Sequence, residues 1–396
     1  MIDEHLPGPL THERFALTSL LDFARTLTPD LGTVGILKSV IRTIMGKALI
    51  KDALAFVSSS GDFNLVHRAG FRAIEIPETL PKQEIMAWIA EHEQPIDVLL
   101  HIRPREQEGD ECFLGFGPSM MPGMEIEKET EFLEALSRLA GMAISNARFF
   151  DRERQRERLE ADLRLAKEIQ LSLFPQSLPA IQSLEIAAFS QPSEVVGGDY
   201  YDAIWISDHE VLLAIADVVG KGVSAALLMS TVQAALRALV SLLRAGHLTL
   251  LEIVKELNRL LWESTSAERF VTAAFVLIDT RRSTATSVVC GHPNPIVLHQ
   301  DQSTTEIDTS GIPLGIEATY PYEVSTNPFR KGEAIVLYTD GLSEASHHGE
   351  PFGSEGIRAI LESTESRDPN TMIKALHLGL ELRLHDDLTL IAAVRG

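Results

Sequence analysis

Aspartates set at the ends of apolar runs are the residues of this chain whose type and spacing could do chemistry. Asp199 follows two glycines in VVGGDYYD, Asp217 ends VLLAIAD, Asp340 ends AIVLYTD, and the pair Asp386 and Asp387 opens DDLTLIAAV. Apolar runs of this kind predict buried strands. A carboxylate at a strand end is held by the sheet backbone yet faces a rim where a ligand can bind. One Asp before Gly is more often a turn residue than a ligand, so no single position decides anything. Four such carboxylates converging on one rim repel each other unless cations lie between them. Oxygen donors select a hard ion, Mg²⁺ or Mn²⁺, over zinc. The two cysteines, Cys112 and Cys290, lie too far apart in sequence for a disulfide framework or a zinc knuckle. Lys221, in VVGKGV just after Asp217, is either a phosphate-facing charge or a solvated turn lysine. It is no P-loop lysine, because G-x-x-x-x-G-K-[ST] is not satisfied around it. Gly291–His292 reads as a structural turn rather than a general acid, and His347 and His348 read as surface residues of a polar loop.

The elements that would position these acids belong to a chain of 396 residues, 45% hydrophobic, with 56 acids against 35 Lys and Arg and a formal charge of −21. That length allows two or three domains, each with its own core. The acid excess argues against nucleic acid as a partner, because phosphate binding needs a basic surface. The start, MIDEHLPGPLTHERF, lacks the basic and apolar regions of a secretory signal. The most apolar stretch, VLLAIADVVGKGVSAALLM, is broken by Asp217, Lys221 and glycines, so it predicts strand, turn and helix rather than a membrane span. The expectation is a reduced, cytoplasmic protein.

Helical periodicity appears in FALTSLLDFARTL and VGILKSVIRTIMGKAL, strand-like runs in ALAFVSS, FNLVHRA and CFLGFGP, and a long amphipathic helix in KETEFLEALSRLAGMAISNARFF. Composition then shifts at 151–164, where five arginines alternate with five acids. No Gly or Pro occurs between Asn146 and Phe174, which predicts continuous helix until Pro175 and Pro179. Leu159, Leu163, Ala166 and Leu173 follow a 4-3-7 step, with Met142 and Phe149 upstream on the same register. This is either a solvated connecting helix or a short coiled-coil seam pairing two chains. The order of helix, strands and a closing helix, carried by CFLGFGP and EFLEALSRLAGMAISNARFF, resembles a GAF sensory domain over 14–150. Residues 151–178 would then be a helical linker.

The second half holds LAKEIQLSLFPQSLP, VVGGDYYD, IADVVGKGVSAALLMS, FVTAAFVLID, CGHPNP, GIPLG, LYTDGLSEA, FGSEG and HDDLTLIAAV in that order. Together these resemble the metal-dependent protein phosphatase (PPM) superfamily, and more closely its bacterial SpoIIE- and RsbU-like serine phosphatases, over about 165 to 396. The resemblance implies an α/β multidomain protein whose domain at 180–396 is an α-β-β-α sandwich with a two-ion Mn²⁺ or Mg²⁺ site at one end of two packed sheets. It implies that Asp217 bridges both ions, that Asp199 is a further carboxylate, and that Asp340 and Asp386 bind the second ion. Asp387 would bind or orient the site, and the carbonyl of Val218 would serve as a main-chain ligand. Lys221 would be a substrate-binding residue. The implied reaction is in-line attack on a phosphoserine or phosphothreonine by a metal-bridging hydroxide. The implied substrate is a phosphorylated STAS-domain antagonist of an anti-sigma factor in a partner-switching pathway. A homodimer through the linker and the GAF domain would relay a small-molecule or protein signal along the connecting helix to the helices around VSAALLMSTVQAALRALV. The alternative is an inactive interaction module of the same fold, against which all four intact acid motifs argue. A nucleotide hydrolase would need a base-binding signature that the sequence does not show.

Overall fold

The computed structural model describes residues 9–59, 61–72, 74–91, 96–103, 111–121, 129–265, 269–309, 311–347, 350–378 and 386–396. Its first elements are α1 (Pro9–Thr26), α2 (Gly32–Ala48), β1 (Ala53–Ser59), β2 (Asp62–Ala69), β3 (Thr79–Pro81), α3 (Ile85–Glu91), β4 (Val98–Ile102), β5 (Cys112–Phe116) and α4 (Thr130–Leu173). The chain divides into two units, Met1–Leu159 and Glu160–Gly396, with the boundary inside α4.

In the first unit an antiparallel sheet runs β3-β2-β1-β5-β4. Side chains alternate along β1, so Ala53 and Ala55 face α2 and α4 while Leu54 and Phe56 join Phe63, Phe113 and Ile85 on the other face. The buried residues of α2 include Ile36, Leu37, Val40, Ile41 and Ile44, the stripe expected of a helix lying on a sheet. The first turns of α4 bury Leu133, Leu136, Ala140, Ile144 and Ala147 at the same spacing. Lys47 is a buried cation in this core. Its Nζ lies 2.9 Å from the Glu129 carboxylate and 3.7 Å from the Phe132 ring centroid. The short β3, β4 and α3 were not among the expected elements.

The continuous helix expected between Asn146 and Phe174 is the second half of the 44-residue α4. Of the expected seam, Met142, Phe149 and Leu159 are exposed in the single chain, the last by 60%.

The second unit continues with β6 (Leu184–Gln191), β7 (Tyr200–Ser207), β8 (Glu210–Val218), α5 (Val223–Arg244), α6 (Leu250–Ser264), β9 (Val271–Asp279), β10 (Thr284–Cys290), β11 (Ile296–Leu298), β12 (Thr304–Glu306) and β13 (Ser325–Pro328). It closes with β14 (Ala334–Tyr338), the single turn α7 (Asp340–Ser343), the small hairpin β15 (Ser346–His347) and β16 (Glu350–Pro351), α8 (Gly353–Ser363), α9 (Pro369–Leu378) and β17 (Leu388–Arg395). Two antiparallel sheets form, ordered β13-β10-β9-β8-β7 and β12-β11-β14-β17-β6.

Strand β8 shows why the sheets stack. Val211, Leu213 and Ile215 join Ile335, Leu337, Ile391 and Ala393 of the other sheet in one core. Leu212, Ala214 and Ala216 point the opposite way, onto Ala225, Met229 and Val232 of α5 and Ile253 and Leu257 of α6. On the outer side of the second sheet, Val336, Leu390 and Ala392 meet Ile357 of α8 and Met372 and Leu376 of α9. Each sheet is therefore covered on both faces, which gives helix, sheet, sheet, helix layers. Fully buried aliphatic side chains of this kind contribute roughly 1.5–3 kcal/mol each relative to exposure.

By length and composition α5 could cross a membrane, with a mean hydropathy of 1.7. Here one face of it packs on the sheet, burying Ala225, Leu228, Met229, Val232 and Leu236, while Leu227 on another face is exposed. Buried Asp202 on β7 fastens it, accepting from Arg237 Nε at 2.8 Å and from the Tyr200 hydroxyl at 2.7 Å.

Candidate metal centre

The five expected acids all stand where strands of the two stacked sheets end. Asp199 immediately precedes β7, Asp217 is the penultimate residue of β8, Asp340 opens α7 just after Thr339, which follows the end of β14, and Asp386 and Asp387 precede β17. The turn after Asp217 needs Gly220 (φ 99°) and Gly222 (φ 71°), conformations that a Cβ disfavours.

Three further glycines are required by close approach. A Cβ on Gly197 would lie 2.3 Å from Asp387 Oδ2, and one on Gly198 would lie 2.8 Å from the Val218 carbonyl oxygen and 3.4 Å from Asp217 Oδ1. On Gly341 it would lie 2.0 Å from the Asp387 carbonyl oxygen. The absence of side chains thus lets the 197–198 backbone pack directly against the Val218 carbonyl and the Asp217 carboxylate.

The two adjacent aspartates divide their work. Asp387 is buried, and both of its oxygens are taken. Oδ1 accepts from the Ser193 amide at 2.7 Å and hydroxyl at 2.9 Å, and Oδ2 accepts from the Gly198 amide at 2.7 Å and the Asp199 amide at 3.4 Å. It clamps the 193–199 loop to the start of β17. Asp386 is partly exposed, accepts from the Asp387 amide, and pairs with Lys221 Nζ at 3.1 Å. The second-metal role expected for Asp386 suits that geometry better than it would suit Asp387.

Thr339 and Thr389 were not anticipated. The buried Thr339 hydroxyl donates to Asp199 Oδ2 at 2.9 Å and accepts from the Thr389 amide at 3.0 Å, tying Asp199 to the β14–β17 pair. Gln170 was missed too, although it lies in LAKEIQLSLFP. Buried in the last turn of α4, it donates to the Gly197 carbonyl at 2.7 Å and accepts from the Gly197 amide at 3.1 Å. Its signal would have been a polar residue on the face of α4 that is otherwise apolar.

The electrostatics follow from burial and like charge. Burial first, then the charge of Asp217 and that of Asp387, hold the Asp199 carboxyl well above the usual carboxylate range, against hydrogen bonds from Thr389 and Thr339. Burial and then the charges of Asp340, Asp386 and Asp387 push Asp217 up to about 7. Asp340 is raised by burial, then by Glu344 and Asp386.

His292 is buried with its Nδ1 2.8 Å from the Thr272 hydroxyl, which donates at 3.4 Å to the Asp217 carbonyl. Burial lowers the imidazole to about 3, so it is neutral at neutral pH and serves as support rather than as an acid. His347 lies in the β15 hairpin, and His348 lies outside the described residues.

Among the described residues, no group of three or more His, Cys, Asp or Glu side chains is closed around one point as a finished metal cage would be. The donors nonetheless fit a hard divalent ion. They are all oxygens, Asp217 is repelled by three neighbours, and the Val218 carbonyl oxygen and an Asp217 carboxylate oxygen lie against the same glycine, Gly198.

A pH dependence follows in metal-free protein. Asp217 has its folded-state pKa above the unfolded value of roughly 4. Between the two the folded state holds a proton that the unfolded chain has released, so this stabilising contribution is full at low pH and is lost as pH rises through about 7. With EDTA present, the melting temperature is expected to fall between about pH 5.5 and about pH 8, with a shallower fall in Asp217→Asn. Equal slopes would remove Asp217 as the cause.

Comparison with known proteins gives a family model described as Stage II sporulation protein E (SpoIIE), matching residues 207–395. That span includes Asp217, Asp340, Asp386 and Asp387 and leaves Asp199 outside. The phosphoserine phosphatase RsbU of Bacillus subtilis (strain 168) is 29% identical over 246 residues, 60% of this chain and 71% of that protein. Phosphoserine phosphatase RsbP of the same organism is 26% identical over 189 residues, 46% of this chain and 45% of RsbP. The chain therefore spans most of RsbU but under half the length of RsbP. The SiaA-PP2C domain of Pseudomonas aeruginosa aligns with 61% of this chain and 98% of that domain, with a TM-score of 0.53 and 21% identity, a likeness of fold.

Proposed function

We propose, from the match of residues 207–395 to the SpoIIE family model and the likeness to RsbU, that the chain is a PPM-superfamily, Mn²⁺- or Mg²⁺-dependent protein serine/threonine phosphatase of the SpoIIE and RsbU branch. One observation carries the reading: Asp217 is half-buried, and its burial followed by the charges of Asp340, Asp386 and Asp387 pushes it up to about 7, an arrangement that favours bound cations over bare charge.

The chain's own residues do the positioning. Asp217, Asp199, Asp340, Asp386 and the Val218 carbonyl would hold two ions. Asp387 fixes the loop that carries Asp199, and Thr339 orients the Asp199 carboxylate. When bound, divalent ions supply an activated water and positive charge for the phosphoryl oxygens. Gly197, Gly198 and Gly341 let the chain segments that carry these acids approach one another closely.

The proposed substrate is a phosphorylated STAS-domain protein of a partner-switching pathway, and the proposed location is the cytoplasm. The first unit is proposed as a GAF-type sensor for a small-molecule or protein signal, with a homodimer through it and the linker half of α4. What supports regulation through α4 is Gln170, whose amide grips the Gly197 peptide next to Asp199.

Hydrolysis of p-nitrophenyl phosphate and of a phosphoserine peptide by the full chain tests the reading. Release of phosphate with Mn²⁺ and its loss in EDTA are expected. Turnover that ignores the chelator would refute the assignment.

A further inference from the structure

The loop joining β8 to α5 places a cation against the acid cluster. Lys221 sits between Gly220 and Gly222, and its Nζ lies 3.1 Å from Asp386 Oδ2. The two side chains are 44% and 39% exposed, so the pair is of the weak, solvent-accessible kind that another cation can replace. The reach of this ammonium extends beyond Asp386. Its charge lowers both Asp217 and Asp340, and it is itself raised by Asp386, Asp387 and Glu194.

We propose that Lys221 is a tethered counter-ion for this site: in the metal-free protein its ammonium takes a cation's place against Asp386, and an incoming divalent ion displaces it. The inference rests on the metal-dependent reading above and adds a residue that sets how tightly the ion binds. Two consequences follow. The metal-free site is less repulsive than its acids alone would make it, and metal affinity is held below what the acids could reach.

Calorimetric titration of Mn²⁺ into the full chain at low salt, with the wild type, Lys221→Gln and Lys221→Arg, tests this. Lys221→Gln is expected to bind Mn²⁺ about threefold to tenfold more tightly, and Lys221→Arg as the wild type does. The difference should shrink in high salt, which screens so exposed a charge. In EDTA, Lys221→Gln should melt below the wild type and gain more from added Mn²⁺. Equal or weaker Mn²⁺ binding by Lys221→Gln, with a raised KM for p-nitrophenyl phosphate, would overturn the proposal and make Lys221 a substrate residue. If neither wild type nor variant takes up Mn²⁺ saturably, the metal reading itself fails, a result distinct from a failure at Lys221.

Discussion

Asp217→Asn should reduce Mn²⁺-dependent hydrolysis by at least about 10³-fold and yet raise the melting temperature of the metal-free protein. Both effects come from one carboxylate. Asp217 ends a strand buried on both faces, so its position is fixed by Leu212 to Ala216 and not by its own hydrogen bonds. Its charge is disfavoured by burial and by Asp340, Asp386 and Asp387, an effect that Lys221 offsets only in part. An isosteric amide removes that repulsion, a gain on the order of 1–3 kcal/mol near pH 8. The same change takes away the charge that divalent ions need. A residue with a purely structural task would lose stability together with activity. Turnover with saturating Mn²⁺, measured beside thermal melts in EDTA, separates the cases. Activity within tenfold of the wild type, or a lower melting temperature, would count against the assigned role.

Asp387→Asn should do the opposite to stability. Its carboxylate accepts from the Ser193 amide and hydroxyl on one oxygen and from the Gly198 amide on the other. An amide there turns one acceptor into a donor, facing either Ser193 or Gly198 across less than 3 Å. Leaving buried donors unsatisfied costs about 2–4 kcal/mol. The 193–199 loop would loosen, and Asp199 with it. Asp386→Asn is expected to leave the melt in EDTA close to that of the wild type, because Asp386 is partly exposed and pairs with the half-exposed Lys221. Its loss should appear as weaker Mn²⁺ binding. Melts in EDTA and Mn²⁺ titrations of the two variants therefore yield contrasting profiles. Matching profiles would show that the neighbours share one task.

That division could not be read from the sequence, where Asp386 and Asp387 are adjacent and equivalent. It depends on Ser193 and Gly198, nearly two hundred residues away, which the antiparallel pairing of β17 with β6 brings alongside. Thr339 and Thr389 were hidden for the same reason, since their hydroxyl and amide meet only when β14 pairs with β17. The acids themselves were legible because each adjoins an apolar run, and a strand buried on both faces leaves such a run unbroken. Glycines 197, 198 and 341 were visible as turn residues, but their reason is steric, the approach of the Asp387 and Val218 oxygens. The long helix was legible from the lack of Gly and Pro. The short β3, β4 and α3 carry too few residues for any period to stand out.

Anomalous diffraction at the manganese edge from crystals of the full chain soaked in Mn²⁺ tests the central claim most directly. The account predicts anomalous peaks among Asp217, Asp340 and Asp386, beside the Val218 carbonyl. An absence of peaks there, with Mn²⁺ bound elsewhere or not at all, would contradict it.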